Sequence, residues 1–158
     1  MLDFATLLSA LGCGLIAGAF FAFSTFVMKA LGNLPSAQGI AAMQSINVVV
    51  INPWFMTGFL GTGLVCVIVF IASLLRWQNP VTPYLLAGSV LYLVGTVLVT
   101  MVFNVPRNDA LAAVAPSTPE AVTLWASYLS TWTAWNHVRA IAALAASALF
   151  IVAFRLQV

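Results

Sequence analysis

The chain has 158 residues, 63% of them hydrophobic and only 5% charged, with five basic and three acidic side chains and a formal net charge of +2. A soluble domain carries about 25% charged residues. This composition, with a mean hydropathy of +1.12, therefore excludes a water-soluble enzyme, and it excludes disorder, which needs low hydrophobicity and high charge. No basic run gives nucleic acid a footprint, so no nucleic acid partner is expected. The expected surroundings are a lipid bilayer.

Crossing about 30 Å of hydrocarbon takes about 20 apolar residues in a helix. The first such stretch, residues 4–29, is uncharged from Phe4 to Met28 and is closed by Lys29 and the turn-forming Gly32-Asn33-Leu34-Pro35. Ala17-Gly18-Ala19 resembles a signal-cleavage site, but no positive residue precedes the apolar run, so this span is expected to be retained. Residues 36–51 read as a short helix with a polar stripe, Gln44 and Asn47 being three apart and so on one face. Pro53 ends it, lacking an N–H and restricting the residue before it.

The second span, residues 54–76, lies between Asn52-Pro53 and Arg76-Trp77-Gln78-Asn79-Pro80. A third, residues 83–104, is opened by Pro83 and closed by Asn104-Val105-Pro106-Arg107-Asn108, where Pro106 is expected to force the chain out of the helix. Thr118-Pro119-Glu120 reads as an N-cap with proline at the first helical position. It opens a helix through Trp125 and Tyr128, either separate from the fourth span or running on into it. That span, residues 132–154, ends at Arg155. Backbone groups in lipid must be satisfied within each span, which leaves helices. The predicted fold is an all-α integral membrane protein, one transmembrane domain over residues 1–158. It is a four-transmembrane-helix bundle with a short extra helix before the second span and one before the fourth.

Small residues recur where helices touch: Gly14 and Gly18 with Ala22, Gly88 and Gly95, and Ala142, Ala143, Ala146 and Ser147. They let backbones approach closely in lipid. Packing within the bundle is the favoured use, and a homo-oligomer through the glycine-rich faces is the alternative.

Polar groups are expensive in a bilayer, so the few present are informative. Topology brings Lys29, Gln44, Asn47, Asn52, Asn104, Arg107, Asn108, Asn136, His137 and Arg139 to one end of the bundle, with both termini and Arg76 at the other. The positive-inside rule counts two basic residues against three and does not decide orientation. If Lys29, Arg107 and Arg139 belong to a pocket, Arg76 and Arg155 put the termini on the cytoplasmic side of a bacterial inner membrane. Each polar residue also has a plainer use: snorkelling for Arg139, an interhelical hydrogen bond for Asn136, a structural donor for His137. One histidine, two cysteines in apolar stretches and no intramembrane carboxylate fall short of a zinc, copper or di-iron ligand set, so no metal is expected. Cys13 and Cys66 read as small buried hydrophobes.

Several segments together resemble the DUF1772 membrane proteins, which include the fungal anthrone oxygenases. They are Phe20-Phe21-Ala22-Phe23-Ser24 with Val27-Met28, Met43-Gln44-Ser45-Ile46-Asn47, Asn52-Pro53-Trp54-Phe55-Met56 and Asn104-Val105-Pro106-Arg107-Asn108. Trp125, Trp132 and Trp135-Asn136-His137-Val138-Arg139 complete the set, and the resemblance spans nearly the whole chain. It implies an oxygenase that needs no cofactor and joins O2 to a lipophilic aromatic substrate, the electrons coming from the substrate anion. His137 would be the base, and Arg139 with Asn104 or Asn108 the oxyanion donors. Asn136 and Asn47 would orient the substrate, with Gln44 and Arg107 beside them, while Trp135, Trp132 and Phe23 would stack its rings. Two other classes use the same residues differently. A binding or transport protein would carry a lipophilic aromatic or quinone unchanged, and an accessory subunit would pack on a partner through its glycine stripe.

Overall fold

The computed structural model describes residues 2–157, which form five helices: α1 Leu2–Gly32, α2 Ser36–Val49, α3 Pro53–Leu74, α4 Thr82–Ala112 and α5 Pro119–Gln157. No strand occurs among the described residues. Four of the helices, α1, α3, α4 and α5, are long and apolar enough to cross a membrane, as the composition requires. In the bundle α1 packs on α3 and α5, and α4 packs on the same two. Interhelical polar contacts fasten the seams: Ser147 Oγ donates to Ala10 O at 2.8 Å, and Tyr92 Oη donates to Phe59 O at 3.0 Å. Gly95 lets α4 reach α5, since a Cβ there would stand 2.6 Å from the Ala142 Cβ. Gly88 faces the Phe150 ring, and Gly14 faces Ser147. These glycines serve packing inside the chain.

The breaks between α2 and α3 and ahead of α5 are as expected. The Asn52 side chain accepts the Phe55 N–H at 3.0 Å and Pro53 opens α3, while Thr118 Oγ1 accepts the Ala121 N–H at 3.3 Å. Of two further boundaries, one decides between the expected alternatives and the other differs from the expectation. First, the helix opened at Pro119 is not a separate piece but the start of α5, whose 39 residues extend about 58 Å, well beyond the hydrocarbon thickness. Its amino-terminal half joins α2 and the ends of α1 and α4 in a second core around Ile40, Met43, Leu111, Trp125, Tyr128 and Trp132.

Second, Pro106 does not turn the chain out of the helix; α4 runs on to Ala112. The turn before it, Thr100–Asn104, is π-helical, with the Val105 N–H donating to Thr100 O five residues back. A π register widens the turn ahead of Pro106 and gives its ring room where it would otherwise clash one turn back. Three further π turns occur, at Phe23–Val27 in α1, Thr57–Gly61 in α3 and Leu93–Leu98 in α4. The turn in α1 carries Ser24 and Thr25, and the one before Pro106 carries Thr100 and Asn104.

Candidate functional site

Two places hold expected residues: several gather in one, and His137 alone of them lines the other. The first is inside the bundle, where α1, α4 and α5 meet around Arg139, which is 5% exposed. Its Nε donates to Asn136 Oδ1 at 2.9 Å and its Nη1 to Thr100 Oγ1 at 3.2 Å. The guanidinium carbon stands 4.0 Å from the Phe20 ring centroid and 4.8 Å from that of Trp132. Aromatic faces attract a cation most strongly where water is absent. Every one of these partners is neutral, and the acidic side chains Asp3, Asp109 and Glu120 are all exposed. Arg139 therefore does not snorkel to the surface; it is a buried cation held by amide, hydroxyl and π density.

Asn136 is the hub of this cluster. Its Nδ2 gives one hydrogen to Phe20 O and the other to Ser24 Oγ, both at 2.7 Å, while its Oδ1 takes Arg139. Along α5, Trp125, Tyr128 and Trp132 recur at helical spacing and stack, and Phe23 leans on Trp132 with ring centroids 5.8 Å apart. Asn108 Oδ1 accepts from both Tyr128 Oη and Trp132 Nε1 at 2.8 Å. Asn104 donates to Trp132 O at 3.2 Å, five residues before His137, so α4 and α5 meet antiparallel with Asn104 and His137 at the same end of the bundle. The Asn104 Oδ1 and the Asn47 Nδ2 are buried without a partner among the described residues, the latter beside Tyr128.

The second place is a groove of about 360 Å³ on the outward face between α1 and α5, a volume in the range of about 300–1,000 Å³ usual for small-molecule sites. His137, Ala140, Ile141 and Leu144 of α5 form one wall; Gly14, Ala17, Gly18, Phe21, Ser24 and Thr25 of α1 form the other. The groove exists because small residues leave it open: a Cβ on Gly18 would have no atom within 4 Å. A second depression of about 430 Å³ shares Ser24 and Thr25 and continues along the seam to Lys29, Asn33 and Thr133. His137 is exposed in the groove and makes no hydrogen bond to a described residue.

This arrangement corrects the expected single pocket. His137 faces outward, whereas Asn104, Asn108 and Arg139 face inward, because residues two apart on a helix point to different sides. Gln44 caps rather than binds: its Nε2 donates to Leu111 O at 2.8 Å, in the last turn of α4, and to Val114 O at 3.0 Å, just past its end. Arg107 is likewise engaged within the bundle, Nε on Thr131 Oγ1 at 3.1 Å and Nη1 on Phe103 O at 2.6 Å. Trp135 lies flat on Phe103, rings 3.6 Å apart at 7°, away from the groove lining. Trp132 and Phe23 sit with Arg139. Sequence reasoning passed over Thr100 in the interior and Thr25 in the groove, and it named Tyr128, Phe21 and Gly18 without assigning them to a site.

Ser24 joins the two places, lining the groove while bonded to Asn136. Together they place a lone imidazole in a largely apolar cleft, with a buried cation linked through Asn136 to the Ser24 hydroxyl of the α1 wall. Such a layout suits proton removal from an apolar molecule whose conjugate base is stabilised from the other side. Among the described residues no three His, Cys, Asp or Glu side chains gather. No curated protein and no solved structure matches the chain. A family model described as anthrone oxygenase matches residues 52–149, more than half of the chain, taking in α3, α4 and the helix that carries Asn136, His137 and Arg139. The chain belongs to the anthrone oxygenase family.

Proposed function

We propose that this protein is a membrane-embedded oxygenase that takes a flat, lipophilic, anthrone-like aromatic from the bilayer into the α1–α5 groove and reacts it with O2. The observation that carries this reading is His137, the only histidine of the chain, which makes no hydrogen bond to a described residue and lines a largely apolar groove. Family membership supplies the reaction class. In an anthrone the ring carbon opposite the ketone bears an acidic C–H. His137 takes that proton, and the electron pair spreads onto the carbonyl oxygen. The anion passes an electron to O2, and the radical pair combines to form a C–O bond. The imidazolium then protonates the peroxide. Loss of the remaining hydrogen at that carbon as the O–O bond breaks leaves a second carbonyl. One anthrone and one O2 become one anthraquinone and one water. The electrons come from the substrate, so this chemistry asks for no bound metal or flavin.

For orientation, Arg139 is buried and Arg107 is bonded inside the bundle, which leaves Lys29 against Arg76 and Arg155 as free basic markers. On the positive-inside rule the termini face the cytoplasm and the second core faces outward across a bacterial inner membrane. An oxygen electrode tests the function: purified protein in detergent is given anthrone, and O2 uptake is compared with anthraquinone formed. Equal uptake and product, lost in His137→Gln, is the expected result. Tight anthrone binding without O2 uptake would replace this reading with that of a carrier.

A further inference from the structure

Ser24 sits in the π turn of α1, and its hydrogen bonding is unusual for a helical serine. A serine or threonine in a helix commonly donates back to the carbonyl four residues earlier, as its neighbour Thr25 does to Phe21 O at 2.8 Å. For Ser24 that carbonyl is Phe20 O, which accepts from Asn136 Nδ2 instead. The same amide donates its second hydrogen to Ser24 Oγ. Asn136 thus bonds both the hydroxyl oxygen and its usual acceptor, and Ser24 donates to no described residue. The wall position of Ser24 leaves the groove as the direction in which its proton is unspent.

Behind that hydroxyl stands a chain of donors ending in a charge: Arg139 Nε to Asn136 Oδ1 at 2.9 Å, then Asn136 Nδ2 to Ser24 Oγ at 2.7 Å. Hydrogen bonds in series polarise one another, most strongly in a low-dielectric interior. A cation at the far end, with no carboxylate beside it, makes the Ser24 O–H a better donor to a negative oxygen than an isolated serine would be. We infer that Ser24 is the oxyanion donor of the groove, receiving the phenolate or enolate oxygen of an aromatic substrate, with Asn136 and Arg139 as positioning residues behind it. This rests on the proposed function for its chemistry. In a tricyclic ketone the carbonyl oxygen and the acidic C–H lie at opposite edges of the central ring, and Ser24 of α1 and His137 of α5 line the same groove. The proton goes to His137, the electron pair to the carbonyl oxygen, and the Ser24 O–H bond stays intact.

The test uses purified full-length protein in detergent and a monohydroxyanthraquinone, whose phenolate absorbs at longer wavelength than the phenol. Its ionisation is followed by absorbance against pH in detergent alone, with wild-type protein, and with Ser24→Ala and Ser24→Thr. Wild type is expected to raise the ionisation constant of the bound phenol about tenfold, the scale of one good hydrogen bond to the charged form. Ser24→Ala should lose most of that rise, and Ser24→Thr, which keeps the hydroxyl, should retain it. With anthrone as substrate, Ser24→Ala should lower kcat by about 100-fold with KM little changed, as for a donor that acts in the transition state. A Ser24-dependent rise without O2 uptake would support the donor while removing the oxygenase. Ionisation identical in wild type and Ser24→Ala, or Ser24→Thr behaving as Ser24→Ala in a folded protein, would overturn the inference.

Discussion

Replacing Asn136 by leucine removes the hub of the interior cluster. The variant loses two neutral hydrogen bonds, to Phe20 O and Ser24 Oγ, and the acceptor that holds the Arg139 Nε–H. Neutral interhelical bonds in membrane proteins are worth about 0.6 kcal/mol each. A bond to a charged group is worth about 1.5–3 kcal/mol, and its loss strands a buried donor on a cation. Asn136→Leu should therefore cost about 3–4 kcal/mol, or about 6–16 °C in Tm at the ~2–4 °C per kcal/mol usual for a chain of this size. Tryptophan fluorescence during heating in detergent measures it. Arg139→Met alone should cost only about 1–2 kcal/mol, because removing a desolvated charge offsets the lost contacts. Once the cation is gone, the introduced leucine strands no charged donor. The double variant should then be no less stable than Asn136→Leu alone. If the two losses simply add, the cluster is not coupled through the Asn136–Arg139 bond, and the electrostatic account of the interior is wrong.

Two glycines, Gly18 in the groove and Gly95 at the α4–α5 seam, should respond oppositely to the same change. Gly18→Leu fills open space in the groove, so Tm should hold while anthrone binding in detergent falls at least tenfold, read by quenching of tryptophan fluorescence. Gly95→Leu collides with Ala142 and should lower Tm by several degrees or prevent folding, read by the same melt. Gln44→Met removes both bonds that cap α4 and should cost about 1–2 kcal/mol with kcat unchanged, because Gln44 lies outside the groove. Arg155→Lys, at the far end of α5, should change neither Tm nor turnover.

Much of the fold was legible because the bilayer narrows the choices. Uncharged runs of about 20 residues can only be helices there, and Asn52-Pro53 and Thr118-Pro119 announce helix starts by local chemistry that tertiary contacts do not override. Pro106 misled because a π turn absorbs it, and such turns leave no mark in a pattern of 3.6-residue periodicity. The interior cluster was half legible. That Asn104, Asn108, Asn136 and Arg139 share one end of the bundle follows from counting spans, yet which side of α5 each residue faces does not. His137 and Arg139 are two apart and so cannot share a pocket, a rule the sequence already contains. Gln44 and Arg107 looked like binding residues because polar side chains near lipid are scarce. Helix ends and helix seams, however, need donors as much as ligands do, and both residues are spent there. The groove itself was hidden in its glycines: Gly14 and Gly18 form one motif, but Gly14 packs on Ser147 while Gly18 is open.

The proposed function stands on His137 removing a carbon-bound proton from a molecule in the α1–α5 groove, and that step can be isolated from oxygen chemistry. Anthrone is incubated with the protein in D2O without O2, and the incorporation of deuterium at the acidic carbon is followed by NMR against detergent alone. Exchange is expected to be accelerated by wild type and slowed by about 10²–10⁴-fold in a folded His137→Gln protein. Exchange at the wild-type rate in His137→Gln would contradict the assignment of His137 as the base.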